Sequence, residues 1–171
     1  MKVDLLEKIE RLFWKNSFAE LSMDDVAKEL SMKKASLYYH FASKEEMFIK
    51  TLEFSYWRYL EFLESIFKLD DISSMIRELI EFPCKQMNLF AIVSQKWYCG
   101  NVRLWAEAST RNCDIDKVFY SNLSSKFGFS EEKSSIFKAV IDDFSKKRCI
   151  FECDSEKKSE NIIKEIKKLF F

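Results

Sequence analysis

Ser31-Met32-Lys33-Lys34-Ala35-Ser36-Leu37-Tyr38-Tyr39-His40-Phe41-Ala42-Ser43-Lys44 contains three lysines, one histidine and two tyrosines, and no acid. Leu37 and Phe41 stand four apart, so a helix over about 34–41 would turn both onto one inner face. Ala35 and Ser36 give that helix a small N-terminal end, and Tyr39, His40 and Lys44 give it polar donors. Tyr38 and Tyr39 point about 100° apart on a helix, so one of them can lie on the inner side while the other faces out; Tyr39 is the one expected outside. These are the properties of an element that enters the DNA major groove: a backbone that can approach closely, donors for phosphate and polar tips for base edges.

The preceding segment fits the same reading. Ser22-Met23-Asp24-Asp25 places a hydroxyl at an N-cap, an acid three residues on and two carboxylates in a first turn, where the helix dipole favours them. The helix that follows carries Val26, Ala27 and Leu30 inward and stops near Ser31. Only two or three residues then separate it from the next, which leaves room for a tight helix-turn-helix corner. Upstream, Leu5, Leu6, Ile9, Leu12 and Phe13 mark an amphipathic helix over about 4–16. Downstream, Ser43-Lys44-Glu45-Glu46 repeats the capping signal and opens a long helix, striped by Phe48, Leu52, Tyr56, Tyr59, Leu60, Leu63, Ile66 and Phe67, with no breaker. The head is therefore joined to the remainder by a rod and not by a linker. Lys44 sits in the rod's first turn, where free amides favour a phosphate.

Beyond the rod, Ile72, Met75, Ile76, Leu79 and Ile80 predict a helix that Pro83 kinks or ends. Two shorter helices are expected between Gln86 and Asp114, divided near Cys99-Gly100-Asn101, then one from Ile115 to Phe127 closed by Gly128. A helix capped by Ser130 and another from Ser155 end the chain.

The whole-chain composition agrees. Glycine (2) and proline (1) are almost missing from the 171 residues, so glycine loops and β-hairpins lack raw material and an all-α fold follows. Hydrophobic residues at 47% and charged residues at 33% describe a globular chain. No stretch approaches the ~20 apolar residues of a membrane span, and the first ten residues do not resemble a signal peptide, so no membrane partner and a cytoplasmic location are expected. The five cysteines, odd in number and scattered, suit reduced thiols. Cys149 and Cys153 match no zinc spacing, and His40 is the only histidine, so neither a metal nor a cofactor is expected. No phosphate-binding glycine loop or nucleophile elbow argues for an enzyme. Lysine plus arginine (28) balances aspartate plus glutamate (28), so nucleic acid must be held by a local patch.

Residues 22–30, then Lys34-Ala35-Ser36-Leu37-Tyr38-Tyr39-His40-Phe41 and Ser43-Lys44-Glu45-Glu46, resemble the DNA-binding signature of the TetR family of bacterial repressors. The likeness covers about the first 50 residues; beyond them only the helix pattern is similar. It implies a homodimer whose heads read a palindromic operator, with Lys34, Ser36, Tyr38, Tyr39, His40 and Lys44 facing double-stranded DNA and Ser22 touching a phosphate. The turn position usually held by glycine is Ser31, and Lys33 stands where a serine or threonine cap is frequent.

The expected architecture is thus a three-helix head, residues 1–43, and a helical ligand-binding and dimerisation domain, residues 44–171. Met75, Leu79, Phe82, Met87, Trp97, Tyr98, Trp105 and Tyr120 can be core, but as a group suit a plastic cavity for a hydrophobic or aromatic effector, an inducer or co-repressor. The apolar stripes of the last two helices, Phe137, Val140, Ile141 and Phe144 with Ile162, Ile163, Ile166 and Phe170, are the expected dimer interface. The alternative is a helical protein-interaction module that has weakened or lost DNA binding.

Overall fold

The computed structural model describes residues 3–88, 102–151 and 156–171. Among them are eight helices and no strand: α1 Val3–Lys15, α2 Met23–Glu29, α3 Lys34–His40, α4 Lys44–Ile66, α5 Ile72–Lys85, α6 Val102–Phe127, α7 Glu131–Phe151 and α8 Glu156–Phe170. No described helix is long and apolar enough to cross a membrane.

One expected boundary moves. Instead of breaking between Asp114 and Ile115, α6 runs unbroken for 26 residues, because Asn112-Cys113-Asp114 are weak helix formers but not breakers. The first of the two short helices expected after Gln86 falls on residues outside the described ones. Pro83 lies inside α5, which continues to Lys85. Glu46 does not close a full capping box: Ser43 Oγ accepts from the Glu46 amide at 3.1 Å, but the Glu46 carboxylate accepts from the Ala42 amide at 2.6 Å.

The chain forms two compact units. The first comprises Met1–Tyr59 and Met87–Cys113. Its core is built by Phe13, Phe18 and Phe48, with ring centroids 4.9 Å (Phe13–Phe48) and 5.2 Å (Phe18–Phe48) apart in edge-to-face contact, joined by Ile9, Val26, Leu37, Phe41 and Met47. Glu10 of α1 is buried and pairs with Arg58 of α4, which locks the head onto the first part of the rod. Arg111 of α6 pairs with Glu53 at 2.5 Å and lies 5.6 Å over the Tyr56 ring. Asn88, also buried, donates to the Ser55 carbonyl at 3.0 Å.

The second unit comprises Leu60–Gln86 and Asp114–Phe171. Here α5 is the central helix: α7 and α8 both pack on it, over Met75, Ile76, Leu79 and Ile80. Phe67, Phe119, Phe129, Phe137 and Phe170 form a continuous aromatic cluster beside them. With glycine so scarce, lysines take over the satisfaction of carbonyls where helices end. Lys126 reaches the carbonyls of Phe67 and Leu69 past the end of α4, and Lys133 reaches that of Phe170 at 2.7 Å while lying 3.9 Å over the Phe129 ring.

The cysteines depart from expectation at one position. Cys113 is an exposed free thiol, but Cys84 in α5 is disulfide-bonded; five cysteines leave room for a pair, and their number alone does not forbid one. Cys99 and Cys153 lie outside the described residues.

Candidate nucleic-acid interface

The corner between α2 and α3 is built by backbone chemistry that starts at Ser22. Its hydroxyl accepts from the Asp25 amide at 3.1 Å, and the Asp25 carboxylate accepts from the Ser22 amide at 2.9 Å, a complete capping box. These bonds hold the Asp25 carboxyl below its ordinary value, the Ser22 hydroxyl being the largest cause. At the other end of α2 the chain reverses through Ser31, whose φ of 52° is left-handed. The Met32 amide then reaches back to the Ala27 carbonyl at 2.8 Å, a helix-terminating bond of the kind glycine usually supports. Lys33 caps α3 with extended backbone and no side-chain hydrogen bond.

Within α3 the two faces separate cleanly. Leu37 and the following Phe41 are fully buried, whereas Tyr39 is 87% exposed and Tyr38 45% exposed. Ala35 and Ser36 are exposed and His40 is half-buried, its ring edge-on to Tyr39 with centroids 5.4 Å apart. The outward face therefore carries Ala35, Ser36, Tyr39 and part of His40, and no acid.

The expected cations behave differently from one another. Lys34 is exposed, but its ammonium lies 2.7 Å from Asp24 Oδ1 and donates to Oδ2 at 2.9 Å. The hydrogen bond it donates to Asp24 raises the Lys34 pKa. Lys44 folds inward: its ammonium donates to the carbonyls of Phe18 and Leu21, both at 2.9 Å, and sits 4.2 Å from the Phe18 ring centroid. Ser22, Asp24, Lys34, Tyr38 and Lys44 line an open concavity of about 410 Å³. The involvement of Asp24 was not foreseen, although it sits in the same capping segment as Asp25.

The other expected site residues belong to both units. Met75 and Leu79 are core residues of the second unit. Phe82 stacks on Phe62 with centroids 3.8 Å apart, and Tyr120 is half-buried beside Phe119. Met87, half-buried, has a left-handed φ of 47° just past α5. Trp97 and Tyr98 lie outside the described residues, as does the side chain of Trp105. On α7, Phe137 and Ile141 belong to the stripe packed in the chain's own core, while the neighbouring stripe Ile136, Val140, Phe144 is exposed or half-buried. On α8, Ile163 and Ile166 are buried, Ile162 and Phe170 half-buried and Leu169 73% exposed.

Residues 5–51 match the family described as "Bacterial regulatory proteins, tetR family". The biofilm operon icaADBC HTH-type negative transcriptional regulator IcaR of Staphylococcus epidermidis is 35% identical over 63 residues, which is 37% of this chain and 34% of that protein. The match thus spans about a third of that relative's length. A TerR/AcrR-family transcriptional regulator from Aquifex aeolicus shares the fold at a TM-score of 0.78 and 18% identity, covering 98% of this chain and 97% of that one. AibR, solved with isovaleryl coenzyme A and operator DNA, follows at a TM-score of 0.71 and 18% identity, covering 98% and 96%. At such identity the likeness speaks for the fold alone. Residues 5–51, within the α1–α4 head, thus match the tetR-family DNA-binding model, and the all-α fold of the solved regulators extends over nearly the whole chain.

Proposed function

We propose that the chain is a ligand-responsive repressor that binds a palindromic operator as a homodimer, with residues 1–43 as the DNA-binding part and residues 44–171 as the regulatory part. The observation that carries this reading is the outward face of α3: Ala35, Ser36, Tyr39 and His40 stand outside a helix whose opposite side is locked by Leu37 and Phe41. Ser22, Lys34, Tyr38 and Lys44 border that face and supply groups for the flanking phosphates. Repression is proposed by likeness to IcaR, a negative transcriptional regulator.

The proposed dimer is carried by the outward stripes of α7 and α8, Ile136, Val140 and Phe144 with Ile162, Leu169 and Phe170, because the adjacent buried stripes already serve the chain's own core. The proposed effector is a hydrophobic or aromatic small molecule; AibR, of the same fold, is described with isovaleryl coenzyme A. A ligand that favours one conformation of the regulatory part would shift the α4 rod and so the spacing of the heads.

Duplexes selected by the purified protein from a random pool test the reading. An inverted repeat should emerge, bound with an affinity that falls steeply as salt rises. Binding without salt dependence, or no enrichment, would favour the protein-interaction module instead.

A further inference from the structure

We propose that Asp24 is an internal counter-ion that withholds Lys34 from the DNA backbone and so keeps the head's sequence-independent grip on DNA weak. The inference rests on the DNA-binding reading above and adds a residue that sets how strongly phosphate is held.

Both Asp24 oxygens lie within 2.9 Å of the Lys34 ammonium, and the two residues come from different helices, α2 and α3. An exposed ion pair of this kind contributes little to stability, and Asp24 is not needed for the α2 cap, which Asp25 completes with Ser22. Its effect falls on the neighbouring surface. Lys33, Lys34 and Lys44 are the lysines of the acid-free stretch 31–44. Lys44 donates two of its three N–H groups to carbonyls, and Lys34 is matched by a carboxylate that an approaching phosphate must displace or neutralise. Asp24 therefore stands where a phosphate oxygen would otherwise sit on Lys34. Non-specific binding is almost wholly phosphate attraction, so it suffers most from this compensation; contacts made by the outer face of α3 do not pass through Lys34.

The test is a double-mutant cycle read by fluorescence anisotropy on a scrambled-sequence duplex over a range of salt. Asp24→Asn keeps the size and hydrogen-bonding shape of the side chain. It should steepen the dependence of log K on log salt by about one unit per head and tighten scrambled-duplex binding roughly tenfold at low salt. Lys34→Gln should cost about one unit per head more in the Asp24→Asn background than in the wild type. Asp24→Ser, which retains a good N-terminal helix residue, should repeat the gain; melting curves establish that each variant is folded. Equal slopes for wild type and both Asp24 variants overturn the proposal, as does a gain that persists when Lys34 is removed, since that would be the loss of a negative charge and not the release of a lysine. A wild-type protein with no salt-dependent binding to any duplex would fell the DNA-binding reading and this inference together. Normal wild-type binding with inert Asp24 variants fells this inference alone.

Discussion

Lys44 holds Phe18 twice: its ammonium donates to the Phe18 carbonyl at 2.9 Å and lies 4.2 Å from the centre of the Phe18 ring. A third contact, to the Leu21 carbonyl at 2.9 Å, ties the loop between α1 and α2 to the first turn of α4. Hydrogen bonds from a charged donor are each worth about 1.5–3 kcal/mol, so Lys44→Met is expected to lower stability by about 2 kcal/mol, seen as an earlier urea midpoint. Two of the three N–H groups are used, which leaves one for a phosphate. Under the proposed function the same variant should also reduce the salt slope of operator binding by about one unit per head. A variant as stable as wild type would sink the structural role, whatever happens to DNA binding.

Ser31 carries a side chain through a backbone conformation that glycine adopts freely. Left-handed backbone costs a residue with a Cβ roughly 1 kcal/mol or more. Ser31→Gly should therefore raise unfolding free energy by about 1 kcal/mol, after allowance for the greater freedom of the unfolded chain. Ser31→Ala retains the Cβ and should bring no gain. Chemical denaturation of the three proteins decides it.

Three helix starts make the fold sensitive to acid. Asp25 lies below its ordinary value of 3.8 through the Ser22 hydroxyl and amide, and Asp71 below the same value through the Ser74 hydroxyl and amide. Glu46 lies below 4.5 through the Lys50 ammonium and then the Ala42 amide. A carboxyl whose folded pKa is depressed stabilises the native state above its unfolded value, and that stabilisation is lost as pH falls through the depressed one. Stability should hold at neutral pH and decline below about pH 4.5, where the unfolded chain begins to bind protons that the folded one refuses. Asp25→Asn and Asp71→Asn, which can still cap but cannot titrate, should each flatten the decline when urea midpoints are followed down in pH.

The two stripes of α7 should respond in opposite ways. Ile136→Asp with Val140→Asp changes the outward stripe and should leave a folded monomer, detected by sedimentation equilibrium. Phe137→Ala empties a fully buried site in the aromatic cluster and should cost about 3–5 kcal/mol in stability. A double variant that remains dimeric would move the interface away from this face.

Much of this protein is determined locally and can be read from the order of its residues. The Ser22 cap, the left-handed Ser31 and the Leu37/Phe41 anchor each depend on neighbours within four positions, so their outcome is set by short-range geometry. The all-α fold follows from the near absence of glycine and proline, and the resemblance of residues 22–46 to the TetR-family signature implies a DNA-binding head. Tertiary structure decided everything that depends on partners far along the chain. Whether α7 buries Phe137 or Ile136 is a rotation of about 100°, and only packing against α5 selects it. A lysine is equally at home on a phosphate or on a protein oxygen; that Lys34 meets Asp24 ten residues away, and Lys44 meets Phe18 and Leu21, is known only once the helices have docked. Charge and periodicity specify what a side chain can do, and the fold specifies which of its possible partners comes within 3 Å.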